Sequence, residues 1–400
     1  MYNIRKVTDD ITWIGASDRR LALFENIFPI SRGVSYNSYI LVDEQTVLFD
    51  TVDASVAGQF FENLEAVLEG RTLDYLIVNH MEPDHCAMIG DIVRRYPDVK
   101  IVGNTKTFGM MNQFFGTDFA ERSIVVKEGD TLSAGKHTLH FVMAPMVHWP
   151  EAMVTYDDVD KVLFSADGFG SFGALNGNIF ADEVDFDRDW LDDARRYYTN
   201  IVGKYGASVQ TLLKKAAGLD IAMICPLHGP VWRENLPYIL EKYQKWSTYE
   251  AEDQAVVIMY ASMYGNTASA ADALAGALAV RSVKKIAVYD VSNTHISELI
   301  SEIFRASHLV FAVPTYNAGI YPVMENLLSD MKALAVQKKT VAVMENGTWA
   351  PTAAKQVKEK LGEMKDMTIL DAGLTIKSAM HAGQKAELDA LADEIVKSMM

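Results

Sequence analysis

The chain has 400 residues, 49% hydrophobic and 22% charged, a balance that supplies core enough for two or three domains. Its formal net charge of −16 repels nucleic-acid phosphates and excludes nucleic acid as a partner. No apolar run reaches the roughly 20 residues of a membrane span, the start Met1-Tyr2-Asn3-Ile4-Arg5-Lys6 lacks a signal core, and only Cys86 and Cys225 occur, so the expectation is a cytoplasmic protein with no membrane segment and no disulfide framework.

Along the chain, Ser35 to Val42 and Thr46 to Asp50, joined by Asp43-Glu44-Gln45, read as a hairpin. The apolar run Tyr75 to Val78 reads as a buried strand, and the loop leaving it is His80-Met81-Glu82-Pro83-Asp84-His85, with four strong metal ligands in six residues. A structural zinc site closes at four ligands and usually uses thiolates; this ligand set suits two metal ions side by side. Helical periodicity covers Ala87 to Tyr96 and Trp190 to Ala217, with strands over Ser123 to Val126 and His137 to Met143 between them. His148, in Val147-His148-Trp149-Pro150, and His228, in Cys225-Pro226-Leu227-His228-Gly229-Pro230, fall at strand ends, as does Asp167 after the apolar run Val162 to Phe164. Strand-end loops gather at one edge of a sandwich, and the two oxygens of Asp167 can bridge two ions. Met146 and Trp149 are candidate pocket residues. Cys86 and Cys225 read as small buried hydrophobes beside the site. His137 and His140 read as surface or structural residues, and His295, His308 and His381 as solvent or packing residues.

Near Tyr249 to Gln254 the chain turns polar and acidic, and a regular alternation begins. Strands are expected over Ala255 to Ala261, Lys285 to Val291, Leu309 to Pro314, Lys339 to Met344 and Met367 to Ile376, with helices between them: a doubly wound parallel sheet with a ligand at its carboxyl edge. The boundary is placed at 250, giving domains 1–250 and 251–400. Ser262-Met263-Tyr264-Gly265-Asn266-Thr267 follows the first of these strands and opens a helix, so hydroxyls, backbone amides and the helix dipole converge as a phosphate pocket. Pro314-Thr315-Tyr316-Asn317-Ala318-Gly319-Ile320-Tyr321-Pro322 and Glu345-Asn346-Gly347-Thr348-Trp349-Ala350-Pro351 follow the third and fourth strands, with aromatic rings to lie on a flat ring system and Gly and Asn for close backbone approach. The three loops together point to FMN. Lys332, Lys338, Lys339 and Lys377 read as solvated lysines that can form a basic patch beside it.

With these motifs in both halves, the sequence resembles the flavodiiron protein family over nearly its whole length. The resemblance implies an α+β metallo-β-lactamase-like αββα sandwich followed by an α/β flavodoxin-like sheet. Hydrolases of the sandwich fold carry His-x-His-x-Asp-His; here Glu82 stands at the second histidine position, and a hard anionic ligand favours iron over zinc. By resemblance, one iron takes His80, Glu82 and His148, the other Asp84, His85 and His228, and Asp167 bridges them, His85 being the ligand that some relatives replace with water.

The implied activity is reduction of O2 to water, of NO to N2O, or of both, at a non-haem diiron site fed through FMN by a rubredoxin-like donor. A head-to-tail homodimer or dimer of dimers is implied, as is the simplest class, without an appended rubredoxin or flavin reductase domain. The alternatives are an oxidase of a reduced deazaflavin coenzyme in the same family, a dinuclear zinc hydrolase fused to a flavodoxin domain, and a flavin electron carrier with a structural metal half.

Overall fold

The computed structural model describes all of Met1–Met400. The chain falls into two compact units, one formed by residues 1–198 and 207–243, the other by residues 199–206 and 244–400, so the division falls inside the helix Leu236–Ser247.

The first unit contains a seven-stranded and a five-stranded sheet. In the larger, Ile11–Trp13, Tyr39–Val42 and Thr46–Phe49 pair antiparallel, and Tyr75–Ile77, Lys100–Gly103 and Ser123–Val125 continue in parallel. In the smaller, Thr131–Ser133, Thr138–Met143, Met153–Asp157 and Val162–Phe164 are antiparallel, and Met223–Cys225 joins in parallel. Alternation of the side chains then decides the layering. Tyr39, Leu41, Val47, Phe49 and Ile77 of one sheet meet Phe141, Met153, Phe164 and Cys225 of the other in a single buried cluster. Phe49 and Phe164 stack across it with ring centroids 3.7 Å apart. The intervening residues Ile40, Leu48, Leu76 and Ile101 are equally buried but lie outside that cluster, so the central strands are covered on both faces, as the αββα sandwich requires.

Two expected elements are broken, each beside the loops expected to carry metal ligands. The segment expected as one strand over Ser35 to Val42 divides: Val34–Tyr36 pairs with Ala16–Asp18 in a separate ribbon, and Tyr39–Val42 belongs to the large sheet. At the break, Asn37 donates from Nδ2 to the carbonyls of Pro226 and Gly229 and accepts from Trp13 Nε1, tying the chain to the loop that carries His228. The helical stretch expected over Trp190 to Ala217 runs as Leu191–Tyr197, a π turn Tyr198–Val202, a 3-10 turn Gly203–Tyr205 and a helix Gly206–Ala216. Such π turns widen the backbone where a functional side chain is accommodated.

The second unit is a parallel sheet in the order Ile286–Asp290, Asp253–Tyr260, Ala306–Tyr316, Thr340–Asn346, Thr368–Ile376, with Gly319–Ile320 paired antiparallel to the end of the third strand. Val256, Ile258, Val310 and Met344 pack with Ala270, Leu274, Leu391 and Ile395 of the helices Asn266–Val280 and Lys385–Ser398 on one face. The alternate residues Val257, Met259, Leu309 and Phe311 are buried on the other. The order reverses between Asp253–Tyr260 and its two neighbours, which opens a crevice at the carboxyl ends of the strands. Lys339, expected as a solvated lysine, is instead buried at the opposite end of the sheet, where Nζ donates to the carbonyls of Phe304 and Ala306 at 2.9 Å each and closes the helix Ile296–Arg305. Burial pushes its pKa down to about 7.

Candidate metal centre and flavin cavity

After the strand Tyr75–Ile77, the buried carboxylate of Asp50 accepts from the backbone N–H groups of Asn79 (2.7 Å) and His80 (3.1 Å) and from Asn79 Nδ2 (2.8 Å), which fixes the exit of the loop. Glu82 then stands immediately before the short helix Pro83–Cys86, with Pro83 at its first position, so Asp84 and His85 sit on one turn. Thr51 binds the His85 carbonyl through both its backbone N–H and its hydroxyl, at 2.8 and 2.7 Å. His228 is held from behind: its Nδ1–H donates to the Ser35 carbonyl at 2.8 Å, and the next residue, Gly229, has φ +73 and lies so close to Ser171 that a Cβ would meet it at 2.9 Å.

The folding of the first unit brings the seven expected ligands into two buried groups, His80 with Glu82, His148 and Asp167, and Asp84 with His85 and His228. In the first, His148 Nε2 lies 2.9 Å from Glu82 Oε2 and 3.0 Å from Asp167 Oδ2, and His80 Nε2 lies 3.3 Å from each. In the second, His228 Nε2 is 3.2 Å from Asp84 Oδ2 and His85 Nε2 is 3.4 Å from Asp84 Oδ1. Asp167 turns its other oxygen, Oδ1, to His85 at 3.2 Å and to His228 at 3.8 Å. Donor atoms bound at about 2.1 Å to one ion stand about 3.0–3.4 Å from their neighbours, which these separations match to about 0.1 Å except for the longer one between Asp167 and His228. Both oxygens of Asp84 and of Asp167, both ring nitrogens of His85, and His228 Nε2 are buried and make no hydrogen bond. So many orphaned acceptors are costly unless cations satisfy them. Without cations, the site shares protons: burial opposes it, but the facing imidazoles hold Asp167 and Glu82 below the ordinary carboxylate range, and His148, despite its burial, rises to about 9 through Asp167 and Glu82.

Trp149 stands edge-on to the rings of His80 and His148, at 5.4 and 6.1 Å between centroids. Four residues unmarked by any sequence motif complete the surroundings. The Tyr197 hydroxyl is buried with no hydrogen-bond partner, and its ring lies 5.4 Å from that of His228, immediately before the π turn. Phe24 covers the other side of His228 at 5.5 Å. Glu151, fully buried, accepts from His80 Nδ1 at 2.8 Å. Glu25 lies at the tip of the hairpin Leu23–Phe24 and Phe28–Pro29 with φ +49, beside a cavity of about 400 Å³ that reaches Glu82 and Asp84. Burial and the facing Glu82 carboxylate push its pKa up to about 8. What marks these residues is proximity across the fold, which leaves no periodic pattern in the sequence. His137, by contrast, is a buried structural residue, as expected.

In the second unit the crevice is a cavity of about 550 Å³, within the range of sites for cofactor-sized ligands. From the sequence motifs, Ser262, Met263, Tyr264, Asn266 and Thr267, then Pro314, Thr315, Tyr316, Asn317 and Ala318, then Asn346, Gly347, Thr348, Trp349 and Ala350 line it, and Ser378 joins them. Gly265, Gly319 and Tyr321 do not line it. Gly265 has φ +91 and donates its N–H to Ser262 Oγ at 3.0 Å, so it shapes the turn; Tyr321 precedes the helix Pro322–Ala333 and packs edge-on against Tyr316. The helix Asn266–Val280 begins in this wall with its first N–H groups free of intrahelical partners, as a phosphate needs. Thr267 is buried, with Oγ1 accepting from Asn346 Nδ2 at 3.3 Å, and Asn346 is locked by two bonds to the Ser378 backbone. The rings of Tyr264 and Trp349 stand at the mouth, 92% and 90% exposed, placed to cover an isoalloxazine.

Comparison with known proteins agrees with both halves. Residues 34–229 match the family described as ODP family beta lactamase, and residues 258–394 match the flavodoxin family. The anaerobic nitric oxide reductase flavorubredoxin of Klebsiella pneumoniae is 31% identical over 391 residues, 96% of this chain and 78% of that protein. Among solved structures, rubredoxin oxygen:oxidoreductase of Desulfovibrio gigas superposes with a TM-score of 0.91 at 29% identity, covering 99% of this chain and 98% of that one. A flavoprotein of Thermotoga maritima superposes with a TM-score of 0.90 at 27% identity, over 99% and 98% of the respective chains.

Proposed function

The chain is an oxidoreductase of the flavodiiron protein family, with a non-haem diiron site and FMN as its cofactors, and from that premise we propose that it reduces O2 to water, NO to N2O, or both. The observation that carries this reading is the pairing, in one chain, of a seven-ligand dinuclear pocket holding Glu82 in place of an imidazole with a flavin-sized cavity walled by a helix N-terminus. When bound, the iron pair and the FMN supply two electrons each and the irons an open coordination position, which together meet the four electrons that O2 needs, or two for each pair of NO molecules.

The chain's own residues do the rest. His80, Glu82 and His148 would hold one iron, Asp84, His85 and His228 the other, and the two oxygens of Asp167 would span them. The pocket is kept dry by Trp149, Phe24 and the ring of Tyr197. Burial and the nearby carboxylates keep the Tyr197 hydroxyl protonated, so its O–H can donate to a molecule bound in the pocket. Ser262, Thr267 and the start of the helix Asn266–Val280 would bind the FMN phosphate, while Trp349 and Tyr264 cover the ring.

The proposed donor is a rubredoxin-like one-electron carrier. The exposed, apolar mouth of the flavin cavity favours a partner surface there, and a head-to-tail homodimer, alone or paired, is the proposed assembly. No helix is long and apolar enough to cross a membrane, and the cytoplasm is the proposed compartment. Metal and flavin analysis of protein expressed with iron and riboflavin tests the reading. It predicts two irons and one FMN per chain; two zincs persisting under iron-rich expression, with no redox response, would favour a hydrolase. Mixing Glu82→Ala subunits with Thr267→Ala subunits tests the assembly: partial recovery of activity is expected, and none in verified heterodimers would contradict it.

A further inference from the structure

The two halves of the metal pocket are backed differently, and we infer that Glu151 is a positioning residue that acts through His80 to make the two iron positions chemically unequal. This rests on the diiron reading above. Glu151 is 1% exposed, and its Oε1 accepts from both His80 Nδ1 and the Met81 backbone N–H, at 2.8 Å each. A carboxylate can only accept, so His80 carries its proton on Nδ1 and turns the lone pair of Nε2 toward Glu82, His148 and Asp167. A charged acceptor behind an imidazole draws that proton toward itself and makes the opposite nitrogen a stronger donor to a metal.

No histidine in the other half has such a partner. His228 Nδ1 donates to a neutral acceptor, the Ser35 carbonyl, at 2.8 Å, and neither ring nitrogen of His85 makes a hydrogen bond. The iron held by His80, Glu82 and His148 therefore receives one carboxylate directly and the push of a second through His80. The iron held by Asp84, His85 and His228 receives one carboxylate, one carbonyl-backed imidazole and one imidazole that packing alone orients, with no hydrogen bond behind it. The first position holds the higher oxidation state more tightly, and in the half-reduced centre it is the ferric one. The second is the position whose ligand, His85, gives way most easily.

Glu151→Gln keeps the shape and an acceptor oxygen but removes the charge. In protein loaded with iron-57, it is expected to retain FMN and the native far-ultraviolet spectrum, to weaken the binding of one iron of the two by about 10–100-fold in a chelator competition, and to raise the reduction potential of the same iron by about 60 mV, the equivalent of tenfold for a one-electron couple. The Mössbauer spectrum of the half-reduced state should lose its clean division into one ferric and one ferrous site. Glu151→Asp, which restores the charge at a longer reach, should recover part of each change. Unchanged potentials, affinity and Mössbauer spectrum in Glu151→Gln would overturn the inference, as would equal changes at both irons. If the wild-type protein fails to bind two irons, the diiron reading fails first; two irons in wild type with an indifferent Glu151→Gln sinks this inference alone.

Discussion

His80 and His85 direct their Nε2 atoms at opposite oxygens of one carboxylate, that of Asp167, at 3.3 and 3.2 Å. Asp167 is 1% exposed, and neither of its side-chain oxygens makes a hydrogen bond, an arrangement that suits the proposed bridge between two cations. Asp167→Asn, which leaves one weakly basic oxygen and an amide that cannot ligate well, should lower iron from two per chain to one or none while leaving FMN in place. Iron analysis beside the flavin absorbance checks this, and two retained irons would remove the bridging role.

Glu82 lies 2.9 Å from His148 and replaces, with a hard anion, a position that zinc hydrolases of this fold fill with imidazole. Glu82→His should therefore move the metal preference toward zinc, raising the zinc-to-iron ratio at least about tenfold in protein grown with equal supplies of both metals. An unchanged ratio would mean that the rest of the pocket sets the metal.

In the flavin cavity, the Thr267 hydroxyl is buried at the start of a helix beside Asn346. Losing a hydrogen bond to a charged phosphate costs about 1.5–3 kcal/mol, so Thr267→Ala should weaken FMN binding about 10–100-fold. Fluorescence titration of the flavin-free protein measures it. Thr267→Ser should restore most of the affinity, and iron content should not change; an indifferent Thr267→Ala would place the phosphate elsewhere.

Far from both sites, His137 is buried between Asp157, at 2.9 Å from Nδ1, and Asp10, at 3.1 Å from Nε2, with Lys136 also on Asp10. Burial alone would lower its pKa, but Asp10 and Asp157 outweigh it and raise it above the ordinary 6.5. The folded state thus binds the proton more tightly than the unfolded one. The stabilisation is fully present below about pH 6.5 and is lost as pH rises through the folded-state value. His137→Gln should destabilise the protein by about 1–3 kcal/mol in mild acid, and the gap from wild type should narrow as pH rises. Chemical denaturation across that range is the check, and a gap that widens with pH would show the histidine to be neutral in the fold.

The sequence carried the second unit almost entirely, because its three central strands are nearly continuous apolar runs buried on both faces. Ala255 to Ala261 against Asp253–Tyr260 and Lys339 to Met344 against Thr340–Asn346 differ by two residues or fewer at each end. In the first unit the candidate ligands were legible because their spacing on strand-end loops is dense, and the fold brings them together. What escaped is set by contacts between segments far apart in the chain. The Asn37 break depends on carbonyls of Pro226 and Gly229, Glu151 on His80, and the place of Tyr197 on the ring of His228. Lys339 was misplaced because its acceptors are backbone carbonyls, which leave no trace in side-chain patterning.

We propose that the chain reduces a diatomic gas at paired irons with electrons relayed through FMN. Following O2 and NO consumption side by side, with peroxide detection, in protein reduced by an artificial one-electron donor and loaded with FMN and either iron or zinc, tests this reading. Iron-loaded protein should consume at least one gas, releasing no peroxide from O2, and zinc-loaded protein should be inert. Equal consumption by the zinc form, or peroxide formed in step with the O2 lost, would assign the activity to the flavin alone and contradict it.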